Sequence, residues 1–417
     1  MMRLLFALLL WPVGLWAGEI QVTGREQLLS ALTAAKGGEV ISLSPGSYGE
    51  LDLFTGGPVP PSFAQTVTLK SADPSKPAVI TGLKLTGAQN LTFQGLIFDY
   101  TYRPKDDPGQ IRPFQVNDSK DVRFNQVVFD GDTARGFSPE DNGFPAGLGL
   151  SLRNVTRLTL ENSEIRNFYR GLVVGEATDT VIRRNDLHDL RSDGMNFVKV
   201  TGLLVEANVI RDFHRSFASD DHADMIQFWS MNADYPSTDV TIRRNFLTVG
   251  RGDHTQGIFM RNEAVDAQHG GPSMFYRDVV IEENLIMNNH FHGITVGEVD
   301  GLTIRQNTLI RVPRRSDPDQ RGEFAMMPGI QVAEASRNVA ITDNIASRVP
   351  KSQRGWRQSG NALVQDLEPL AAGFYSRVFV NPFVTAPYEP ENFRPLAGGG
   401  LDRDGLGAPM SAFHWGR

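Results

Sequence analysis

The sequence predicts an all-β solenoid that coils as a parallel β-helix. One phrase recurs along the chain: apolar residues, two variable positions, an asparagine and a further apolar residue, as in VTIRRNFL (240–247). A second short strand with alternating apolar residues precedes each phrase, as in GITVGE (293–298). Period-two alternation indicates strands with one buried face, and no helical pattern separates them. Such strands cannot form a doubly wound α/β sheet, but they can stack turn upon turn about 4.8 Å apart.

The repeated asparagines define the length of one turn. They are separated by 23, 37, 39, 23 and 37 residues, which indicates a basic unit that loops lengthen in places. In a stacked coil, equivalent residues form columns, and an asparagine column inside a bend can satisfy backbone groups. We therefore predict a structural role for Asn185, Asn208, Asn245, Asn284, Asn307 and Asn344.

The two ends of the chain depart from this repeat. Residues 1–17, MMRLLFALLLWPVGLWA, have an early Arg and an apolar run too short for a membrane span, so they predict a secretory signal peptide. The parallel β-helix then covers residues 18–350 and opens with a cap helix. Leu28, Leu29 and Leu32 form the apolar stripe of this helix, and Thr23 and Glu26 suggest a capping box. Residues 351–417 are rich in Pro and Gly and predict an irregular C-terminal capping segment. We expect a secreted or periplasmic protein.

Composition narrows the choice of partners. The 417-residue chain has a net charge of −7, which argues against nucleic acid or an anionic membrane as partner. It has no cysteine, so an exported chain of this size must be stable without disulfides, as a large repeat core can be. An anionic sugar would need a local basic patch or a bridging cation.

With the cap-like stretch LLSALTAAKGGEVISLSPGSY (28–48) and the repeat, the chain resembles the right-handed parallel β-helix proteins of the pectate-lyase-like superfamily. The resemblance covers roughly residues 20–350. It implies a right-handed coil and a polysaccharide substrate. It does not imply one reaction, because this architecture hosts lyases, hydrolases, epimerases and depolymerases.

Stacking the first strand of each turn predicts one polar face. The position just before the strand is occupied in successive turns by Arg170, Asp193, Asp224, Gln256, His292 and Pro328. The next outward position is occupied by Val173, Asn196, Gln227, Phe259, Thr295 and Gln331. Seven of the eight histidines fall between residues 188 and 292, and the longest insertions fall there too. Loops on a rigid scaffold commonly build a binding groove, so we expect the functional site on this face.

The candidate site combines groups suited to acid–base chemistry and to sugar binding. The candidate catalytic residues are His222, Asp224, His254, His292, Arg261 and Lys199. The candidate substrate-binding residues are Asp193, Asn196, Asp221, Gln227, Trp229, Gln256, Phe259 and His290. Asp193 and Asp224 on neighbouring turns would raise one another's pKa, which suits acid–base work or a Ca²⁺ ion held by oxygen ligands. The sequence identifies no metal ligands and leaves open whether a metal is needed, with Ca²⁺ as the candidate cofactor.

The leading hypothesis is an exported enzyme that cleaves or epimerises a uronate-containing polysaccharide after abstracting the proton α to the carboxylate. SDDHAD (219–224) and FHGITV (291–296) resemble the Asp-Pro-His and His-Gly elements of alginate C5-epimerases, although the Pro is missing. Lys199 resembles the lysine of chondroitinase-B-type and alginate-type lyases, but no Arg occupies the corresponding place on the next turn.

Two alternatives stay open. RSDG (191–194), DDHAD (220–224) and HGITVG (292–297) resemble the NTDG, DD and HG elements of polygalacturonases, although their Arg-x-Lys element is absent. Such a hydrolase would use Asp193 and Asp224, with Asp220 or Asp221, as acid and base around a water. The other alternative is a carbohydrate-binding surface protein without turnover.

Overall fold

A computed structural model describes residues 18–219, 221–312 and 326–413. The predicted signal peptide, residues 1–17, and Asp220 therefore lie outside the described residues. Among the described residues, no helix is long and apolar enough to cross a membrane. The α-helices there are Arg25–Ala34, Glu263–Asp266 and Tyr375–Val378, and the 3-10 helices are Pro272–Met274, Pro390–Phe393 and Met410–Phe413.

Parallel pairing between successive turns confirms the predicted β-helix. Val173 pairs with Asn196, which pairs with Gln227 of the following turn. The larger sheet has twenty strands in the described part of the chain: Glu19–Val22, Val40–Leu43, Glu50–Phe54, Ser62–Ser71, Gly82–Thr86, Gln89–Gln94, Phe114–Asn125, Leu148–Thr156, Thr159–Glu161, Arg170–Arg183, Met195–Glu206, Asp224–Phe228, Thr238–Arg243, Gln256–Met260, Tyr276–Glu282, His292–Val296, Val299–Arg305, Gly329–Val332, Arg337–Thr342 and Arg357–Ser359.

A second, smaller sheet closes each turn. Its eleven strands in the described residues are Val79–Ile80, Ile97–Asp99, Val128–Asp130, Glu164–Arg166, Asp186–Leu190, Val209–Phe213, Phe246–Thr248, Leu285–Asn288, Thr308–Arg311, Ile345–Ala346 and Ala362–Leu363. A separate antiparallel pair, Asp132–Thr133 with Pro145–Ala146, forms an excursion from the coil.

The larger sheet itself consists of two rows of strands that meet at bends. In Arg170–Arg183 the chain passes through Glu176 and Asp179, both with positive φ, and so turns from one row to the next. We call these the first row (for example 170–175 and Asp224–Phe228) and the second row (for example Thr238–Arg243). The smaller sheet is the third row.

The predicted asparagine column is present as a buried ladder. Asn185 Nδ2 donates to Asn208 Oδ1 at 2.9 Å, and the same contact of 2.9–3.0 Å continues through all six predicted residues. Each of these side chains also serves backbone groups; for example, Asn245 accepts the N–H of Asn208 and donates to the carbonyl of Val205. The ladder extends one turn further than predicted, to Asn361.

The two ends are covered in different ways. Helix Arg25–Ala34 buries Leu28 and Leu32 against the first turns, as the apolar spacing predicts. The predicted capping box is wrong: the N-cap is Gly24, and the N–H and hydroxyl of Thr23 donate to Gln27 instead of pairing with Glu26. At the other end the coil continues to Leu363.

The irregular C-terminal segment packs along the side of the coil. Its Phe413 ring lies 6.2 Å from that of Phe246, a third-row residue. The N–H of Ala408 donates to Thr308 Oγ1 at 2.9 Å, and the segment's buried side chains, such as Phe379 and Phe393, join the hydrophobic core.

The loops lie at two bends and flank the first row. One set connects the third row to the first and includes the excursion 131–147, loop 214–223 and loop 249–255. The other set connects the first row to the second and includes loop 229–237 and the short helix Glu263–Asp266. The first row therefore lies between two sets of loops, and we call its exposed face the groove floor and the loops its walls.

Candidate functional site

The pairing register places the predicted polar columns side by side. Met195 pairs with Ile226, so Asp193 and Asp224 occupy equivalent positions on neighbouring turns. Asp224 pairs in turn with Gln256, and the Ile258–Ile294 pair places Gln256 beside His292. Side chains far apart in the sequence therefore share one floor, as the repeat predicts.

Asp193 and Asp224 are joined by a buried hydrogen-bond network. Asp193 Oδ1 accepts the N–H of Asp224 at 3.1 Å, and Asp193 Oδ2 accepts from Asn196 Nδ2 at 3.0 Å. Asn196 also donates to Gln227, and Gln227 Nε2 donates to Asp224 Oδ2 at 3.0 Å. Both carboxyl groups are buried, with Asp224 0% and Asp193 1% exposed.

An arginine pairs with one of the two carboxyl groups. Arg170 Nε lies 2.9 Å from Asp193 Oδ2, as an ion pair without the alignment of a directed hydrogen bond. Arg170 is in the predicted column, one turn before Asp193, but the sequence alone did not single it out as a site residue. Its side chain is 37% exposed, so part of it is accessible to solvent beside the buried Asp193.

The two carboxyl groups titrate differently. Burial raises the pKa of Asp193 above its ordinary value, although the charge of Arg170 opposes this effect. Burial, reinforced by the charge of Asp193, raises the pKa of Asp224 well above its ordinary value. Of the two carboxyl groups, Asp224 therefore binds a proton more readily than an ordinary aspartate, and the pKa of Asp193 is raised less.

Several polar atoms on this floor have no hydrogen-bond partner among the described residues. They include Asp224 Oδ1, Asn196 Oδ1 and Gln256 Oε1, each of which is buried. Buried polar groups are normally paired, so acceptors left open together indicate a place where a ligand hydroxyl or water donates. This arrangement fits the binding of a polyhydroxylated molecule.

Histidines surround this floor on the side of the third-to-first-row loops. His222 is 62% exposed, and its Nε2 lies 3.6 Å from Asp224 Oδ2. On the following turns, the His292 ring lies 5.2 Å from that of His290, which lies 6.4 Å from that of His254. His292 Nδ1 contacts Thr295 Oγ1 at 2.7 Å.

Two neighbours position these rings. Phe259, on the turn before His292, contacts it edge-on with a centroid distance of 4.9 Å. Arg215 Nη1 lies 2.9 Å from His254 Nε2. Because a guanidinium only donates, His254 Nε2 is the acceptor in this contact. Arg215 was not among the predicted site residues, because it lies in an irregular loop whose path the repeat does not specify.

Lys199 and Trp229 lie elsewhere, beside a separate cavity of about 870 Å³ on the upstream turns. Lys199 binds Asp234 at 2.9 Å and Glu176 at 3.0 Å, and hydrogen bonds to Asp234 and Glu176 raise its pKa. An ammonium held in this way stays protonated, so it is suited to binding and not to proton abstraction. Trp229 is 36% exposed at the cavity wall.

Arg261 and Asp221 are bonded to protein groups instead of facing Asp224. Arg261 Nε binds Asp266 Oδ2 at 2.8 Å on the short helix after the first row. Asp221 accepts from Tyr169, Ser219 and Arg191. The structure therefore brings together His222, Asp224, Asp193, Asn196, Gln227 and Gln256 on one floor, with Phe259, His254, His290 and His292 on adjoining turns, and it separates Arg261, Asp221, Lys199 and Trp229 from them.

No group of three or more His, Asp or Glu side chains in the described part of the chain is arranged to hold a metal ion. Within those residues, no cluster of ligand side chains therefore supports the suggested Ca²⁺ ion.

Comparisons with known proteins agree with the fold. A family model of the right-handed β-helix region matches residues 140–309. No curated protein matches the sequence of this chain. The chain is a right-handed parallel β-helix.

Three solved structures are similar to this chain at low sequence identity. An alginate lyase from a Paenibacillus species is 15% identical, with 76% of this chain and 98% of that chain covered and a TM-score of 0.47. A pectate lyase is 15% identical, with 93% and 92% covered and a TM-score of 0.48. The Dettilon tailspike protein is 14% identical with a TM-score of 0.48; 78% of this chain is covered, and this chain spans only 60% of the tailspike chain.

Proposed function

We propose that the protein is a polysaccharide-active enzyme that abstracts the proton α to the carboxylate of a uronate residue, leading to β-elimination or C5 epimerisation. The buried Asp193–Asp224 pair carries this proposal. Burial favours the protonated form of a carboxyl group, and a protonated carboxyl can donate a hydrogen bond to an anionic substrate without charge repulsion.

Neutralising the substrate carboxylate is the first requirement, because the carbanion-like intermediate places additional charge there. The Asp224 carboxyl, in its protonated form, and the Arg170 guanidinium can both donate to it. The free oxygens of Asn196 and Gln256 accept from sugar hydroxyls and so orient the ring.

The proton itself needs a base within reach, and the structure offers His222 and His292. In the elimination, an imidazole takes the proton from C5, the C5–H electrons form the C4–C5 double bond, and the C4–O bond breaks. The leaving oxygen takes a proton from an acid, which leaves a new chain end and an unsaturated uronate. In the epimerisation, C5 regains a proton on its opposite face and no bond in the chain breaks.

A glycoside hydrolase is the second candidate, and the same aspartate pair favours it. A protonated Asp224 beside Asp193 has the form of a general acid with a neighbouring carboxylate. The products separate the two reactions, because hydrolysis creates a reducing end without an unsaturated sugar.

The deciding experiment incubates the mature chain with a panel of acidic and neutral polysaccharides, with and without chelator. We expect far-ultraviolet absorbance from an unsaturated uronate, or exchange of the C5 proton with deuterated solvent, on an acidic polysaccharide. His222→Gln should lower this signal by at least about 100-fold, whereas His269→Gln, a change at another exposed histidine, should leave it unchanged. New reducing ends without absorbance would identify the hydrolase. Binding without any product would reject both.

Export to the periplasm or the medium also remains a proposal, which rests on residues 1–17. N-terminal sequencing of the protein from the native cell fractions tests it. A mature chain that starts near Gly18 outside the cytoplasm is expected, and an intact Met1 in the cytoplasm would contradict it.

A further inference from the structure

Arg191 is a buried arginine that lies two residues before Asp193 in the sequence. Arg191 is 2% exposed, and its guanidinium binds two carboxylates that belong to different loops. Nη1 binds Asp141 Oδ1 of the excursion 131–147, and Nη2 binds Asp221 Oδ2 of loop 214–223 at 2.9 Å. The guanidinium also lies 5.0 Å from the centre of the Tyr169 ring. A planar guanidinium with several donors is well suited to joining two such groups.

Asp221 is fully engaged in this contact. Tyr169 Oη donates to its Oδ1, and Ser219 Oγ donates to its Oδ2 at 2.7 Å. Burial alone would raise the pKa of Asp221, but the hydrogen bond from Tyr169 and the charge of Arg191 hold it below its ordinary value. Asp221 is therefore an ionised structural anchor, although the sequence suggested a substrate-binding residue.

Further hydrogen bonds tie the same loops together. Ser192 Oγ donates to the carbonyl oxygen of His222 at 3.1 Å. Ser216 Oγ donates to the carbonyl oxygen of Glu140 at 2.6 Å, which links loop 214–223 to the excursion. Arg191, Ser192 and Asp193 are consecutive, so one short segment supplies the anchor, a support for the His222 backbone and a carboxyl group of the site.

His222 depends on such support because its own ring is largely in solvent. It is 62% exposed and reaches Asp224 Oδ2 at 3.6 Å. A side chain on a loop keeps a productive geometry only if the loop is fixed, and displacements near 1 Å cost activity steeply.

We propose that Arg191 is a positioning residue, which through Asp221 and Tyr169 fixes loop 214–223 and so holds His222 over Asp224. The inference rests on the proposed function for its catalytic consequence. The clamp itself, formed by Arg191, Asp141, Asp221 and Tyr169, is a property of the fold.

The test is a double-mutant cycle with His222. Tyr169→Phe removes one hydroxyl from the clamp, and Arg191→Gln removes its centre. Each should lower kcat by about 10- to 100-fold with little change in KM. In a His222→Gln background neither should cause further loss, because the clamp acts through His222. An equal loss in both backgrounds would overturn the proposal.

Hydrogen exchange supplies a measurement that needs no substrate. Both variants should speed exchange in peptides that cover loop 214–223 and the excursion 131–147, but not in strand Val299–Arg305. Tyr388→Phe and Arg157→Gln, matched changes remote from the clamp, should leave all of these unchanged. Unaltered exchange in loop 214–223 would overturn the proposal.

These two arms keep the inference separate from the proposed function. If the wild-type chain turns over no polysaccharide, the proposed function fails while hydrogen exchange still decides the clamp. If Arg191→Gln does not fold, Tyr169→Phe carries both measurements, since it removes a single hydrogen bond.

Discussion

At the scale of single residues, Asp224 combines full burial with an unpaired carboxyl oxygen. Its folded pKa lies well above the ordinary value of 3.8, first because of burial and then because of Asp193. An aspartate whose folded pKa is raised binds a proton that the unfolded chain releases, so its contribution to stability falls as pH rises from about 3.8 through the raised pKa. At neutral pH this carboxyl group therefore opposes folding, as functional groups often do.

Asp224→Asn separates activity from stability. The amide keeps the shape of the side chain but can neither ionise nor donate a carboxyl proton. We expect a loss of turnover of at least about 100-fold, together with an unchanged or higher unfolding midpoint at pH 7. Initial rates and thermal unfolding of the same preparation measure both.

The matched control for that change is Asp239→Asn. Asp239 is exposed on a bend of the second row, so neither quantity should change there. Full turnover in Asp224→Asn, or a large fall of its unfolding midpoint, would show that Asp224 serves the fold and not the reaction.

At the scale of elements, the asparagine ladder was predictable because one residue type recurs at one place in every turn. Each asparagine forms a hydrogen bond with the asparagine of the next turn, so the repeat in the sequence directly gives the order of contacts in the ladder. Leu28 and Leu32 predicted the cap helix at the correct place, but the hydrogen bond at its N-terminus was not predicted. Thr23 can form a box with Glu26 or bond to Gln27, and the choice depends on how the helix meets the first turn.

Asn245→Ala should destabilise the coil strongly. The change leaves the N–H and Nδ2 groups of the buried Asn208 without their acceptor. Each unsatisfied buried group costs about 1–3 kcal/mol, so we expect a loss of roughly 2–5 kcal/mol in the free energy of unfolding, seen as a lower urea midpoint. Asn361→Ala, at the half-buried end of the ladder, should cost clearly less. Equal losses at both positions would contradict the ladder as a source of stability.

A second contact between elements makes stability depend on pH. Burial lowers the pKa of His188, but hydrogen bonds with Glu164 and Asp189 outweigh this and raise it above 6.5. The pKa of Glu164 is lowered below 4.5, chiefly by its hydrogen bond with His188. The pKa of Asp189 is lowered below 3.8, because its hydrogen bonds with histidines outweigh the effect of burial. The contact therefore stabilises the folded chain most at a pH above the pKa values of the two carboxylates and below that of His188. It weakens as pH rises through the raised pKa of His188.

His188→Gln should consequently reduce the urea midpoint more at about pH 6 than at about pH 8.5. His269→Gln, a change at an exposed histidine, should give the same midpoint as the wild type at both values. An effect of His188→Gln that is constant with pH would mean that its packing, and not its charge, stabilises the third row.

At the scale of the whole molecule, the sequence predicted the groove floor but not its walls. The columns that hold Asp193, Asp224 and His292 follow from the repeat, because stacking fixes which residues become neighbours. The sequence placed Arg170 in the same column, but it did not predict the ion pair between Arg170 and Asp193. The loops follow no period, so the partners of Asp221, Arg261 and Lys199 emerge only from the folded chain.

Asn196 of the site floor and Lys199 of the separate cavity beside Trp229 lie on the same strand, so we infer that one long polymer would occupy both places. Trp229→Ala should raise KM for a polymeric substrate about tenfold, equivalent to about 1.4 kcal/mol, and should change kcat little, because the ring would bind the ground state and the transition state alike. Short oligomers that reach only the aspartate pair should show no change. Phe383→Ala removes another exposed aromatic ring, on the C-terminal segment, and should alter neither constant. A fall in kcat at constant KM in Trp229→Ala would instead connect this tryptophan to the chemical step. Equal effects on short oligomers and on the polymer would contradict the binding of one polymer at both places.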